Sequence, residues 1–169
     1  MNDGPLDAAQ PVVQPDPVTA ERFAVLLDYP LNLWAEQTEY FQDLVREFTL
    51  LRLADQQLAA DSAPTELLEL ADLVQSRFGP VLLPASAERQ QAYEAGLDRM
   101  TVRLPLLDGV PQVMETIRVT LERCDAFCRD RQLLSLPRSP LLLAFGTWTG
   151  EQIVSQYEGA APSPWPGPF

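Results

Sequence analysis

Apolar and polar positions along this chain change period several times, and each change marks an element. Phe23, Val25 and Leu27 alternate with their neighbours and stop at Tyr29-Pro30, which predicts a short strand. From Leu31 the period lengthens. Trp34, Phe41, Leu44, Val45, Phe48 and Leu51 share one helical face to about Ala54, and Glu36, Glu39, Asp43 and Glu47 take the other. Asn32 suits the N-cap, where a side-chain oxygen accepts from a free first-turn N–H. After a small-residue linker, Ala59 to Ala63, Ser62 and Pro64 open a second helix. Leu67, Leu70, Ala71, Val74 and Phe78 form its stripe, and Gly79-Pro80 is expected to stop it. Ser86 is then expected to cap a short polar third helix, Ala87 to Ala95, in which only Tyr93 and the alanines can pack. Met100, Val102 and Leu104 alternate with Thr101 and Arg103 as a second strand, which Pro105 confines to an edge or a strand end. Two short strands are marginal in water, so they should pair with each other and lie on the helices.

The fourth helix has the sharpest pattern. Asp108 is placed to cap it and Pro111 falls in its first turn. Val110, Met114, Ile117, Leu121, Cys124 and Cys128 then make one continuous apolar seam of the kind that faces another helix. The same seam would serve a homodimer as well as an intramolecular core. Glu115–Arg118, Arg118–Glu122 and Asp125–Arg129 are spaced to pair along the helix surface. Beyond a Ser135-Leu136-Pro137 break, Ser139-Pro140 opens a last helix. Leu141, Leu142, Phe145, Trp148, Thr149, Ile153 and Tyr157 give it a broad apolar face. Gly146 and Gly150 weaken this helix by about 1 kcal/mol each relative to Ala, unless they let another helix approach closely. The expected fold is mainly α (α+β), with about five helices and a small two-stranded β-sheet.

Around that core the chain divides into three parts. Residues 1–19 read as a disordered, acidic, Pro-rich arm. Residues 20–159 form the helical domain, and residues 160–169 are a Pro-rich extended tail carrying Trp165. Either the tail folds back and plugs the core with its Trp, which is the favoured reading, or it docks in an aromatic-lined groove of a partner. No apolar run approaches the roughly 20 residues that span a bilayer, and no secretory signal pattern is visible, so the expected location is cytoplasmic.

Charge narrows the field further. Against 24 acidic residues stand 12 basic ones, for a net charge of -12. Such a surface repels phosphate backbones and anionic lipid, which argues against nucleic acid and membrane and for a basic protein patch or a cationic ligand. Every basic residue is Arg; Lys and His are both absent. Without His there is no Ser-His-Asp or Cys-His chemistry and no His-bearing zinc site. Without Lys there is no Schiff base and no phosphate-loop lysine. Cys124 and Cys128, the only thiols, sit on the apolar seam and read as core packing. Acidic groups such as Glu36, Glu39 and Asp43 have the spacing of any solvated helix face. No catalytic residue, metal or cofactor is therefore assigned. Trp148, Tyr157 and Trp165 are the candidate residues for contact with a partner or ligand.

Three stretches resemble a set of small actinobacterial helical proteins: Leu31–Trp34 with Asp43–Leu51, Met100–Pro105, and Ser139-Pro140 through Trp165. The resemblance covers about residues 22–166. Members of that family occur beside serine-kinase-type ATPase, STAS and phosphatase domains of sigma-factor partner switching. The resemblance implies a regulatory adaptor or sensor in stress or developmental signalling, with a signalling kinase/ATPase or STAS-type partner. Where the family's closing helix often carries an Arg-Trp pair and another basic residue, this chain has Gly146-Thr147-Trp148 and Gln152. The expected function is thus a non-catalytic regulatory protein acting through protein–protein interaction. The alternatives are a small-molecule sensor with a ligand between helices, its pocket lined by Phe145, Trp148 and Tyr157, and, less favoured, a carboxylate-based enzyme.

Overall fold

The computed structural model describes residues 22–54, 63–73, 76 and 79–167. The arm expected over 1–19, most of the linker before Ala63, and Val74 and Phe78 of the second helix's expected stripe lie outside the described residues. The elements run β1 (Phe23–Pro30), α1 (Leu31–Ala54), α2 (Ala63–Leu73), α3 (Gly79–Glu94), β2 (Arg99–Pro105), α4 (Val110–Arg129) and α5 (Pro140–Tyr157). The fold is mainly α with one small antiparallel sheet, as the periodicities predict. Among the described residues no helix is long and apolar enough to cross a membrane.

The strands pair Ala24 with Leu104 and Leu26 with Val102, and these residues supply the sheet's buried face. The inward face of β1 is therefore Ala24 and Leu26, not the Phe23, Val25 and Leu27 set whose alternation predicts the strand. Opposed residues share a face, so the apolar side of β2 decides which side of β1 turns inward. Phe23, on the outer face, lies under the Arg103 guanidinium at 5.0 Å. The register shifts between Leu26 and Tyr29, and Asp28 takes up the irregularity at φ +51°.

Several helix ends differ from expectation. The first helical residue is Leu31, whose N–H donates to the carbonyl of Asp98 at 2.9 Å. Asn32 is thus inside α1 and exposed, and does not cap it. Gly79-Pro80 opens α3 and does not stop a helix. Proline is as welcome in a first turn as after a last one, so the dipeptide alone does not choose. Helix α3 then runs through Pro84. Ser86, expected as its cap, sits mid-helix and accepts from Arg89 Nη2 at 3.1 Å. Gly109, at φ +83°, takes the position before α4 that was expected for Asp108, because a left-handed residue there costs glycine least. Helix α5 starts as predicted: Ser139 Oγ accepts the Leu142 N–H at 3.2 Å.

Two apolar clusters hold these elements together. One joins the sheet's inner face to Leu31, Leu142, Phe145, Trp148, Ile153 and Trp165. The other joins Leu44 and Phe48 of α1, Leu67 of α2 and Leu121, Cys124 and Cys128 of α4. Between α4 and the segment before α5 lies a buried ion pair that the sequence pattern does not show. Asp125, expected to pair with Arg129 on the surface, is 2% exposed and accepts from Tyr40 Oη (2.8 Å) and from Arg138 N, Nε and Nη2 (3.0, 3.0 and 2.7 Å). Glu115–Arg118 and Arg118–Glu122 do pair on the surface.

The outer edge of β1 is closed without a third strand. Gln156 of α5 presents its side-chain amide to Val25, accepting the Val25 N–H at 2.8 Å and donating to its carbonyl at 2.9 Å. One step along, the Trp165 N–H donates to Leu27 O at 3.2 Å, and Pro164 bridges Leu27. The tail thus folds back. Trp165 is 4% exposed and sits edge-on to Trp148 and Phe145, with ring centroids at 5.4 and 5.8 Å.

Candidate functional site

The α4 seam is not used evenly. Its C-terminal half, Leu121, Cys124 and Cys128, is buried against α1 and α2. Its N-terminal half continues through Met114 and Ile117, which are only half-buried. Among the described residues no helix crosses over them. They floor an open groove of about 500 Å³ between α4 and α5, joined by Leu143 and Val154 from the α5 side. The glycines of α5 explain the depth. Gly146 and Gly150 lie one turn apart along the groove, and a strip of bare backbone replaces the side chains that would fill it.

The lips are acidic. Glu115 and Glu122 border the groove on α4, Glu151 and Glu158 on α5. Arg118, the cation between the two α4 carboxylates, bonds both of them at 2.6–2.8 Å. Glu115 is held below the ordinary carboxylate range by those bonds from Arg118. At one end lies Arg138, whose charge is met inside the protein by Asp125. Thr149 lines the groove, and its buried Oγ1 has no hydrogen-bond partner among the described residues.

The residues singled out from the sequence lie elsewhere. Trp148 and Trp165 come together, but inside the core, and neither lines the groove. Tyr157 is half-buried at the end of α5 with the Arg22 guanidinium 5.4 Å from its ring centroid. The aromatic face of α5 is thus packed against the sheet, Phe145 lying 5.2 Å and Trp148 6.2 Å from Tyr29. It does not line this groove. Helical spacing locates this face correctly, but the opposite face, where the glycines lie, is the open one. The signal for it was present in the two glycines one turn apart and in a seam longer than the helix it meets.

Other chemistry is quiet. Burial pushes the Cys124 thiol up to about 12, aided by neighbouring Cys128 and Asp125, and burial raises Cys128 too, so neither is a thiolate near neutral pH. Burial likewise lifts the Tyr29 phenol to about 12. Arg89, expected to be a surface residue of a polar helix, is instead 9% exposed, with its guanidinium 5.5 Å from the Trp34 ring centroid and 6.0 Å from that of Tyr29. Those ring faces take the place of a carboxylate. Among the described residues no three His, Cys, Asp or Glu side chains are grouped to hold a metal. Comparison with protein-family models, with curated proteins and with solved structures finds no match.

Proposed function

We propose that this chain is a non-catalytic, cytoplasmic regulatory adaptor that binds another protein through the groove between α4 and α5. One observation carries the reading: Met114 and Ile117 continue an apolar seam whose C-terminal end is sealed in the core, while they are only half-buried and line an open groove. A contiguous apolar surface with polar lips is the usual form of a protein contact. The thiols are held protonated, which fits a role without catalysis. The resemblance to the actinobacterial family adds a partner class, a serine-kinase-type ATPase or STAS-type protein of stress or developmental signalling. A photo-crosslinking residue at Thr147, on the groove lip, should capture a partner in the native cell. The same residue at Glu88, exposed on α3, should not, and Ile117→Arg should abolish capture without unfolding the chain. Equal capture at both positions, or capture indifferent to Ile117→Arg, would remove the groove as the contact surface.

A small-molecule sensor is the second reading, favoured by the groove's volume of about 500 Å³, which falls in the range of ligand sites. A metabolite screen by thermal shift, with Ile117→Arg as control, separates the two.

A further inference from the structure

Resting on the groove as the contact surface, we propose that its occupant is an α-helix with basic flanks, lying along α5 with its backbone close to Gly146 and Gly150. The first argument is that the fold does not need these glycines. Neither takes a positive φ. A Cβ at Gly146 would stand 3.6 Å from Arg138 Nη1 and 3.7 Å from Gln37 Nε2, and one at Gly150 would stand 3.7 Å from Met114 Cε. All are ordinary contacts. Alanine would fit at both positions and would favour the helix. What the glycines supply is depth, and small residues one turn apart are what lets two helix backbones come close.

The second argument concerns backbone hydrogen bonds. The groove is walled by two helices whose N–H and C=O groups are bonded internally, so an extended segment would find no ladder there. A helix brings its own bonds already made and can lie against apolar walls without orphaning polar groups. From Leu143 to Val154 the α5 wall is ~16 Å long, about three helical turns, enough for apolar anchors spaced i, i+3 or i+4, and i+7.

Charge selects among helices. Among the described residues that line the groove, Glu115, Glu122, Glu151 and Glu158 meet two cations: Arg118, which already bonds both of its neighbours on α4, and Arg138, whose charge is met by Asp125. Lys or Arg on the flanks of the incoming helix would meet these carboxylates. A second copy of this chain would bring a net charge of -12 to the same lips, and is disfavoured.

Two displayed peptide libraries, one helical and one extended and Pro-containing, selected on the whole chain, test the proposal. Helices with apolar anchors and Lys/Arg flanks should be recovered, and their affinity should fall as salt rises. Gly146→Ala and Gly150→Ala should each raise Tm by about 2–4 °C through helix propensity. Each should also weaken the recovered helices at least about tenfold, because a methyl overfills the contact. Opposite signs in stability and binding are the signature, since a purely structural role would move both together. Unchanged binding by the alanine variants overturns the proposal. Recovery of only extended or acidic peptides that Ile117→Arg blocks overturns the helix and leaves the groove standing. Peptides indifferent to Ile117→Arg, or none at all, overturn both.

Discussion

Asp125 takes part in more hydrogen bonds than any other side chain described above. It ties Tyr40 of α1 to Arg138, which enters from the segment before α5. Both side chains of the ion pair are nearly sealed, at 7% and 3% exposure. Asp125→Ala leaves a guanidinium buried without its carboxylate, and stability should fall by about 3–5 kcal/mol in a urea titration. A loss below about 1 kcal/mol would show that the pair only replaces hydration. Glu47 has a milder role with a pH signature. Burial alone would raise its pKa, but the N–H groups of Leu134 and Ser135 and the Ser135 hydroxyl, all bonding the carboxylate, outweigh this and hold it below 4.5. A depressed folded value means that its stabilisation is whole above the ordinary carboxylate pKa and fades as pH falls through the folded one. The Tm gap between the native chain and Glu47→Gln should thus be open at pH 7 and narrow as the pH falls through and below the ordinary carboxylate range. A gap independent of pH would mean that the charge is not involved. Neither residue was legible from spacing. Asp125 lies between Cys124 and Cys128 but has Arg129 within surface reach, and only the return of the chain at Arg138 shows which partner it takes.

At the scale of elements, the pattern was read well where one face decides and poorly where two signals compete. The strand pair, the start of α5 at Ser139 and the fold-back of the tail follow from period, capping and the cost of an exposed indole. The α2–α3 boundary does not, because Gly-Pro both ends and begins helices. The α4 seam was visible, yet its division into a roofed half and an open half depends on where α1, α2 and α5 come to rest. The tail illustrates how local the constraints become. A Cβ on Gly167 would overlap the Trp165 indole. Gly167→Ala should therefore push the ring from its seat between Phe145 and Trp148, lowering Tm and increasing tail protease sensitivity. Unaltered Trp fluorescence in that variant would show that the tail adapts. Trp165→Ala, which empties the seat outright, should cost about 3–5 kcal/mol.

For the molecule as a whole, net charge sets the background on which these contacts act. At -12 the folded chain repels itself, its 24 acidic residues outnumbering its 12 arginines two to one. Raising NaCl from about 0.05 to 0.5 M should shorten the screening length from roughly 14 to 4 Å and raise Tm by calorimetry, while weakening any basic partner. A Tm that falls with salt would mean that attractive pairs such as Glu115–Arg118–Glu122 dominate instead. The groove follows the same logic. Its site residues were only half legible because the aromatic stripe of α5 advertises itself, whereas an absence of side chains at Gly146 and Gly150 does not.

The Gln156 amide on Val25 has a consequence for how this molecule behaves in a crowd. A bare strand margin invites copies to stack, and many small sheets guard theirs with charge or proline. Here a side-chain carboxamide imitates a neighbouring peptide group and, beside the tail's bond to Leu27, caps that margin chemically. Replacing it with leucine would keep the bulk yet reopen the template, so turbidity on prolonged incubation, more than melting, is where that single atom pair should matter.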